Sequence, residues 1–73
     1  MAQEIIQSYN IGDIEVVVTP AKNPDKVHIK AKRGKALMEF DAKKFDFQNY
    51  YRHMNQKIRQ RFDEAGDENP KPL

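Results

Sequence analysis

The chain has 73 residues, with 13 Lys and Arg against 11 Asp and Glu, and 38% of its residues are apolar, so its length predicts one small domain with one modest core. The absence of cysteine excludes disulfide bridges, thiolate zinc sites and thiol nucleophiles. No segment approaches the ~20 consecutive apolar residues of a membrane span, and the first residues lack a basic segment followed by an apolar run. We therefore expect a soluble cytoplasmic protein without a membrane partner.

Four segments have the sequence pattern of strands. They are rich in β-branched residues or alternate between apolar and polar residues, which is typical of strands buried on one face. The segments are residues 3–9, 14–19, 27–31 and 35–40. If the loop at residues 10–13 has an even length, Ile5 and Tyr9 point inward. Their partners on the second strand are then Val18 and Ile14.

The connection between the second and third strands is predicted to be an exposed, basic loop. Pro20 and Pro24 lack an amide donor, so neither residue fits a central strand. Lys22 and Lys26 give this loop its positive charge.

The turn at Arg33-Gly34 sets the register of the last hairpin. An even loop of two or four residues pairs apolar residues with one another, namely Ala31 with Ala36, Ile29 with Met38 and Val27 with Phe40. A three-residue loop would pair Val27 with Glu39 and mix core with solvent positions, so the even loop is favoured. Arg33 is a poor first residue for a type I′ turn, because that position needs a positive φ, and the loop length stays open.

The last third of the chain has the spacing of an amphipathic helix that ends at Gly66. Asp46 is the predicted N-cap, and Phe45 and Tyr50 are spaced as a hydrophobic staple around it. The apolar stripe consists of Phe47, Tyr51, Met54, Ile58, Phe62 and Ala65. Roughly nineteen helical residues give a rod of about 28 Å, which is long enough to cross a four-stranded sheet.

These elements predict one α+β domain over residues 1–66, in which a four-stranded antiparallel meander packs on a single C-terminal helix in two layers. Residues 67–73 are polar and interrupted by proline, and we expect them to be disordered. One helix covers only one face of a sheet. The opposite face is therefore predicted to be exposed, with Val17 and Leu37 as apolar side chains among polar and charged ones.

No arrangement of residues in the sequence indicates catalysis. Ser8 is the only serine, and no histidine is predicted beside it. His28 and His53 lie on different elements and have no partner at the spacing of metal ligands. The three glycines mark turns or a helix end rather than a phosphate-binding loop. We therefore predict that the protein is not an enzyme and binds no metal or cofactor.

The positive charge is concentrated in the middle of the chain. Residues 1–62 carry 12 of the 13 basic and 7 of the 11 acidic side chains. The other basic residue, Lys71, and the other four acids lie after residue 62. Residues 20–35 carry six basic side chains against Asp25 alone. Lysine also protects exposed strands from aggregation, but this clustering exceeds what such protection requires.

The exposed face of the last hairpin is the predicted functional surface. Alternate residues of the third strand project on one side at intervals of about 6.5 Å and form a cationic ribbon suited to phosphates. The predicted contacts are Lys22, Lys26, His28, Lys30, Lys32, Arg33 and Lys35. All four phenylalanines are assigned to the core or to the apolar stripe of the helix, so we expect phosphate contacts rather than base stacking. The first hypothesis is a non-enzymatic DNA- or RNA-binding protein that acts as a homodimer.

A protein partner is the alternative hypothesis. The chain would then be a phage-type or mobile-element-type inhibitor, such as an anti-CRISPR-like protein, that binds a nucleic-acid-handling protein. Its contacts would come from the acidic helix end or the exposed sheet face, through Asp63, Glu64, Asp67, Glu68, Val17 and Leu37. A structural subunit that buries Val17 and Leu37 in a larger assembly is a third possibility.

Overall fold

The computed structural model describes residues 5–73 and shows a four-stranded antiparallel sheet followed by one helix. The elements are β1 (Gln7–Ile11), β2 (Ile14–Pro20), β3 (Lys26–Arg33), β4 (Ala36–Lys43) and α1 (Lys44–Ala65). The strand order β1-β2-β3-β4 confirms the predicted α+β meander with a C-terminal helix. No helix of residues 5–73 has a stretch long and apolar enough to cross a membrane.

The core lies between α1 and one face of the sheet. Side chains alternate across a strand, so Val16 and Val18 of β2 are buried while Glu15 is exposed on the other side. The buried apolar residues are Ile14, Val16, Val18, Val27, Ile29, Ala31, Ala36, Met38 and Phe40 from the sheet and Phe47, Ile58 and Phe62 from α1. Full burial of a large apolar side chain stabilises the fold by about 1.5–3 kcal/mol.

The turn between β1 and β2 is shorter than predicted. Only Gly12 and Asp13 lie between the strands, and Gly12 has a φ of 61°, as the first position of a type II′ turn requires. The register therefore moves by two residues, which pairs Tyr9 with Val16. The inward position predicted for Ile5 is wrong, because the shift leaves this residue before β1 with 60% of its surface exposed.

Residues 3 and 4 of the predicted first strand lie outside the described residues.

The turn between β3 and β4 consists of Gly34 and Lys35, so the predicted register is again wrong by two residues. Arg33 stays in the strand opposite Ala36, because Gly34, with a φ of 59°, takes the first position of the turn. The observed pairs are Ala31 with Met38, Ile29 with Phe40 and Val27 with Ala42. A shift by two keeps every side chain on its predicted face, so the inner face is unchanged.

Helix α1 begins two residues before the predicted N-cap. Lys43 is the N-cap residue and makes no side-chain capping hydrogen bond, while Asp46 lies in the first turn, so the prediction of Asp46 as N-cap is wrong. The helix is interrupted at Tyr50, which has φ −129° and ψ 28°. Next to it, the Asn49 side-chain amide donates to the Phe45 carbonyl oxygen over 2.8 Å. This side-chain donor competes with the main chain for a helical acceptor, which favours a kink.

The segment after α1 lies against the edge of β4. The Leu37 amide donates to Asn69 Oδ1 over 3.0 Å, and Pro70 is buried. The disorder expected for residues 67–73 stays a prediction. Leu73, at its end, lines a cleft between β4 and α1.

Candidate nucleic-acid interface

The sheet face that α1 leaves uncovered forms a shallow trough of about 620 Å³. The structure brings together three of the predicted phosphate-contacting residues here, namely His28, Lys30 and Lys32. Glu15 and Glu39 line the same trough. The face is therefore mixed in charge rather than uniformly cationic.

Acidic side chains lie beside the basic residues of this face. The His28 imidazole lies 2.8 Å from Asp41 Oδ1 through Nδ1 and 3.9 Å from Glu39 through Nε2. Lys30 Nζ lies 4.0 Å from the Glu39 carboxylate, and Lys32 lies opposite Glu15 in the ladder. A phosphate placed here would meet these carboxylates as well as the lysines, which weakens its attraction to the trough.

The sequence prediction missed these acidic partners because its register was two residues off. In that register Lys30 lies opposite Leu37, whereas in the structure it lies opposite Glu39. The same shift brings Asp41 opposite His28. A glycine recognised as the first residue of a type II′ turn would have given the correct pairs.

Arg33, predicted to stand at the hairpin tip, binds the end of α1 instead. Its Nη1 lies 3.1 Å from Asp63 Oδ1, and its Nη2 donates to the carbonyl oxygens of Phe62 at 2.9 Å and Gly66 at 3.4 Å. The guanidinium carbon also lies 5.5 Å from the centre of the Phe62 ring. Arg33 is therefore engaged within the fold.

The four acids of the alternative hypothesis lie at the end of α1 and just beyond it. Asp63 is the partner of Arg33. Glu64 accepts a hydrogen bond from Gln60 over 3.2 Å. Asp67 and Glu68 are exposed. Val17 and Leu37 are both half-buried, and Val17 lines the trough.

The remaining predicted cations divide between the two ends of the sheet. Lys35 lies in the β3–β4 turn at one end. Lys26 begins β3 at the other end, and Lys22 lies in the loop before it. In the described part of the chain, no carboxylate lies within 4.0 Å of the ammonium groups of these three lysines or of Lys32.

Lys26, Lys43 and Lys44 lie at the end of the sheet where α1 begins, and Lys57 lies farther along α1 on the cleft that Lys26 and Lys43 also line. We call these four residues the lysine corner. Lys26 and Lys43 are direct partners on β3 and β4. The Lys44 amide donates to the Asp25 carbonyl oxygen over 2.9 Å, which joins the start of α1 to the 20–26 loop. None of the four ammonium groups has a carboxylate of residues 5–73 within 4.0 Å.

A cleft of about 490 Å³ opens beside the lysine corner, between β4 and α1. Lys26, Lys43 and Lys57 line it together with the apolar Phe40 and Met54. Two carboxylates, Asp41 and Asp46, and the His53 imidazole also line it. Asp41 is already paired with His28.

Two exposed aromatic rings lie next to the lysine corner. Phe45 is 65% exposed and Tyr50 is 57% exposed, with ring centres 6.3 Å apart and planes tilted by 59°. The predicted staple pair is thus in contact, but both residues lie within α1 and at the surface. The assignment of every phenylalanine to the core or the helix stripe is therefore wrong for Phe45.

Sequence analysis also missed the contribution of Lys43, Lys44 and Lys57 to this surface. The adjacent Lys43-Lys44 pair directly before the helix was a visible signal, but its position opposite Lys26 depends on the register.

Residues 5–73 hold no group of three or more His, Asp or Glu side chains placed to bind a metal ion. Comparisons with known protein families, curated proteins and solved structures give no match to the chain. Function is therefore inferred from the chemistry of the surface.

Proposed function

We propose that this protein binds nucleic acid without catalysing a reaction, and that it contacts phosphates through the lysine corner. The observation that carries the proposal is the pairing of Lys26 with Lys43 on neighbouring strands, with no carboxylate of the described residues within 4.0 Å of either ammonium group. The proposed surface thus moves from the predicted sheet face to one end of the sheet. We propose a cytoplasmic location for this function.

The Lys26–Lys43 pair reduces the stability of the free protein. Like charges directly opposite each other on antiparallel strands are destabilising. The pair also sits at a non-hydrogen-bonded position, because the hydrogen bond from the Lys44 amide to the Asp25 carbonyl continues the ladder beyond it. At such positions the Cα atoms are about 4.5 Å apart and the side chains are close. A phosphate between the two ammonium groups relieves the repulsion.

The rest of the surface also favours a polyanion. Lys44 follows Lys43 in the chain, and Lys57 lines the same cleft from α1. A polyanion that contacts all four lysines releases its counterions, which makes its affinity strongly dependent on salt. The overall charge of +2 and the isoelectric point near 9.0 favour association with an anionic polymer.

The test compares two double variants that remove the same charge from different places. K26A/K43A removes half of the lysine corner, and K32A/K35A removes two lysines that lie away from it. Binding to generic DNA and RNA is measured by fluorescence anisotropy. For the unmodified protein, four phosphate contacts predict that affinity falls between 50 and 200 mM salt by about fifty-fold for a single strand and about 150-fold for a duplex.

K26A/K43A should bind at least about tenfold more weakly, and the slope of its affinity against salt concentration should correspond to about two fewer phosphate contacts. K32A/K35A should have nearly the affinity and salt dependence of the unmodified protein. Thermal unfolding provides the folding control. Because K26A/K43A removes a like-charge pair, it should unfold at the same or a higher temperature. Equal losses in both double variants, or no binding at 50 mM salt, would contradict the proposal.

A protein partner remains the second candidate function, and the trough on the sheet face favours it. Ile5 is exposed there beside Val17, and His28 and Lys30 already lie close to the Glu39 carboxylate. Such a mixed apolar and compensated surface resembles a protein interface more than a phosphate-binding one. If nucleic acid does not bind at low salt, an inhibitor that binds a nucleic-acid-handling protein becomes the favoured function.

A further inference from the structure

The exposed aromatic pair and the lysine corner form one continuous surface. Phe45 follows Lys43 and Lys44 directly in the chain. Tyr50 lines the same cleft as Lys26, Lys43 and Lys57. Tyr50 also occupies the non-helical position inside α1, so the kink in the helix and the aromatic pair coincide.

The core does not account for the position of these two rings. The core residues of α1 are Phe47, Ile58 and Phe62, and neither Phe45 nor Tyr50 belongs to that set. More than half of each ring residue faces water. Exposed apolar surface gains no hydrophobic stabilisation until it is covered, so a ligand that covers the rings gains this contribution.

We propose that Phe45 and Tyr50 stack on the bases of a single-stranded nucleic acid whose phosphates are held by the lysine corner. This inference rests on the proposed function and adds the class of nucleic acid. Aromatic side chains beside a cationic groove are the combination that binds unpaired strands without sequence preference. In a duplex the base faces are already stacked on one another, so the rings have no surface to contact there.

The geometry of the two rings fits successive bases rather than a single one. Their planes are tilted by 59°, so they cannot form a parallel slot around one base. Each ring instead offers its own face. Because stacking uses a face that every base possesses, we expect little discrimination between bases, and both single-stranded DNA and single-stranded RNA are suitable ligands.

The experiment uses the full chain and three nucleic-acid probes of equal length, oligo-dT, oligo-rU and a mixed-sequence DNA duplex, with poly-glutamate as a polyanion without bases. F45A/Y50A removes the pair, and Y51A is the matched control. Tyr51 is also an exposed α1 aromatic, but it lines a different cleft with Tyr9 and Asn55. Y50W keeps an aromatic face and checks that any loss comes from stacking.

For F45A/Y50A, single-strand affinity should fall by about tenfold for each ring removed, while duplex affinity stays the same. Y51A and Y50W should retain single-strand binding. The comparison of oligo-dT with oligo-rU shows whether single-stranded DNA or single-stranded RNA is the preferred ligand.

The single-strand inference is overturned if F45A/Y50A binds oligo-dT and oligo-rU as tightly as the unmodified protein. In that case salt-dependent binding that still requires Lys26 and Lys43 leaves the proposed function intact. An equal loss on the duplex would also overturn it, as would equally tight binding of poly-glutamate, which offers anionic charge without bases. A protein that binds none of the probes overturns both proposals.

Discussion

Arg33 shows at the residue scale how one side chain can join two elements that are distant in sequence. The last carbonyl groups of a helix have no intrahelical donors and carry partial negative charge. No basic residue lies in the last turn of α1. Arg33 supplies the missing cation from the β3–β4 hairpin, because its guanidinium reaches the Phe62 carbonyl oxygen and the Asp63 carboxylate together.

Replacing Arg33 tests this role. R33A should reduce the free energy of unfolding by about 1–3 kcal/mol, because it removes charged hydrogen bonds and a cation–π contact. R33K should recover only part of the loss, since an ammonium group cannot reproduce the planar fork. Chemical denaturation monitored by circular dichroism measures this change in stability, and K35A, at an exposed position, is the control. Unchanged stability together with weakened nucleic-acid binding would instead place the interface at the hairpin tip.

The residue scale also shows why the predicted cationic ribbon differs from the proposed lysine corner. The sequence identified the basic residues and the face that carries Lys30 and Lys32. It did not identify their partners, because a two-residue change of register keeps the face but changes the neighbour across the ladder. The contact between Arg33 and Asp63 joins residues 30 positions apart, and no local pattern encodes it.

At the scale of elements, the edge strand β1 is joined to α1 by one side-chain hydrogen bond. The Tyr9 hydroxyl donates to Asn55 Oδ1 over 2.7 Å. Tyr9 and Ile11 are the residues of β1 that pack, half-buried, against the core. Burial raises the pKa of the Tyr9 phenol, because the charged phenolate is poorly solvated there.

Tyr9→Phe should reduce the free energy of unfolding by about 1 kcal/mol near neutral pH, since it removes this hydrogen bond. The phenol ionises more easily in the unfolded chain. Its contribution is therefore present in full below the unfolded pKa of about 10 and is lost as the pH rises through the higher folded pKa. Urea unfolding of the unmodified protein and Y9F at pH 8 and pH 11 measures this. The difference between them should shrink at pH 11.

The strands and the helix could be predicted wherever the spacing of apolar residues distinguishes one from the other. Alternation gave the strands and their inner faces, and helical spacing gave Phe47, Ile58 and Phe62 as buried positions. Turn positions and the helix start were not predictable in the same way. The helix begins after Lys43, which makes no side-chain capping hydrogen bond. The usual capping signal at Asp46 therefore predicted a start that is too late and placed Phe45 before the helix instead of within it.

At the scale of the whole molecule, the segment after α1 protects one edge of the sheet. β4 pairs only with β3 in the described sheet, and the Leu37 amide donates to Asn69 Oδ1 rather than to another strand. Pro70, which has no amide donor, is buried next to this contact in the chain. Open strand edges are templates for unwanted pairing with other chains, so this contact has a protective role.

Asn69→Ala should expose the Leu37 amide without unfolding the domain. We expect hydrogen exchange at this amide to accelerate by about two- to tenfold, corresponding to one lost hydrogen bond. Exchange measured residue by residue by NMR, with E68A as control, tests this. If the Leu37 amide exchanges equally fast in both proteins, residues 67–73 are disordered in solution, as their composition predicts.

The order of the strands has a consequence for synthesis on the ribosome. Each strand pairs with its neighbour in sequence, so the hairpins form early and at low entropic cost. The apolar side of the sheet stays uncovered until Ile58 and Phe62 emerge, since these are the last core residues to be translated. At about 5–20 residues per second, translation from the end of β4 at Lys43 to Phe62 takes roughly one to four seconds. A nascent chain is then most prone to aggregate, and a chaperone acting on it would bind the uncovered sheet.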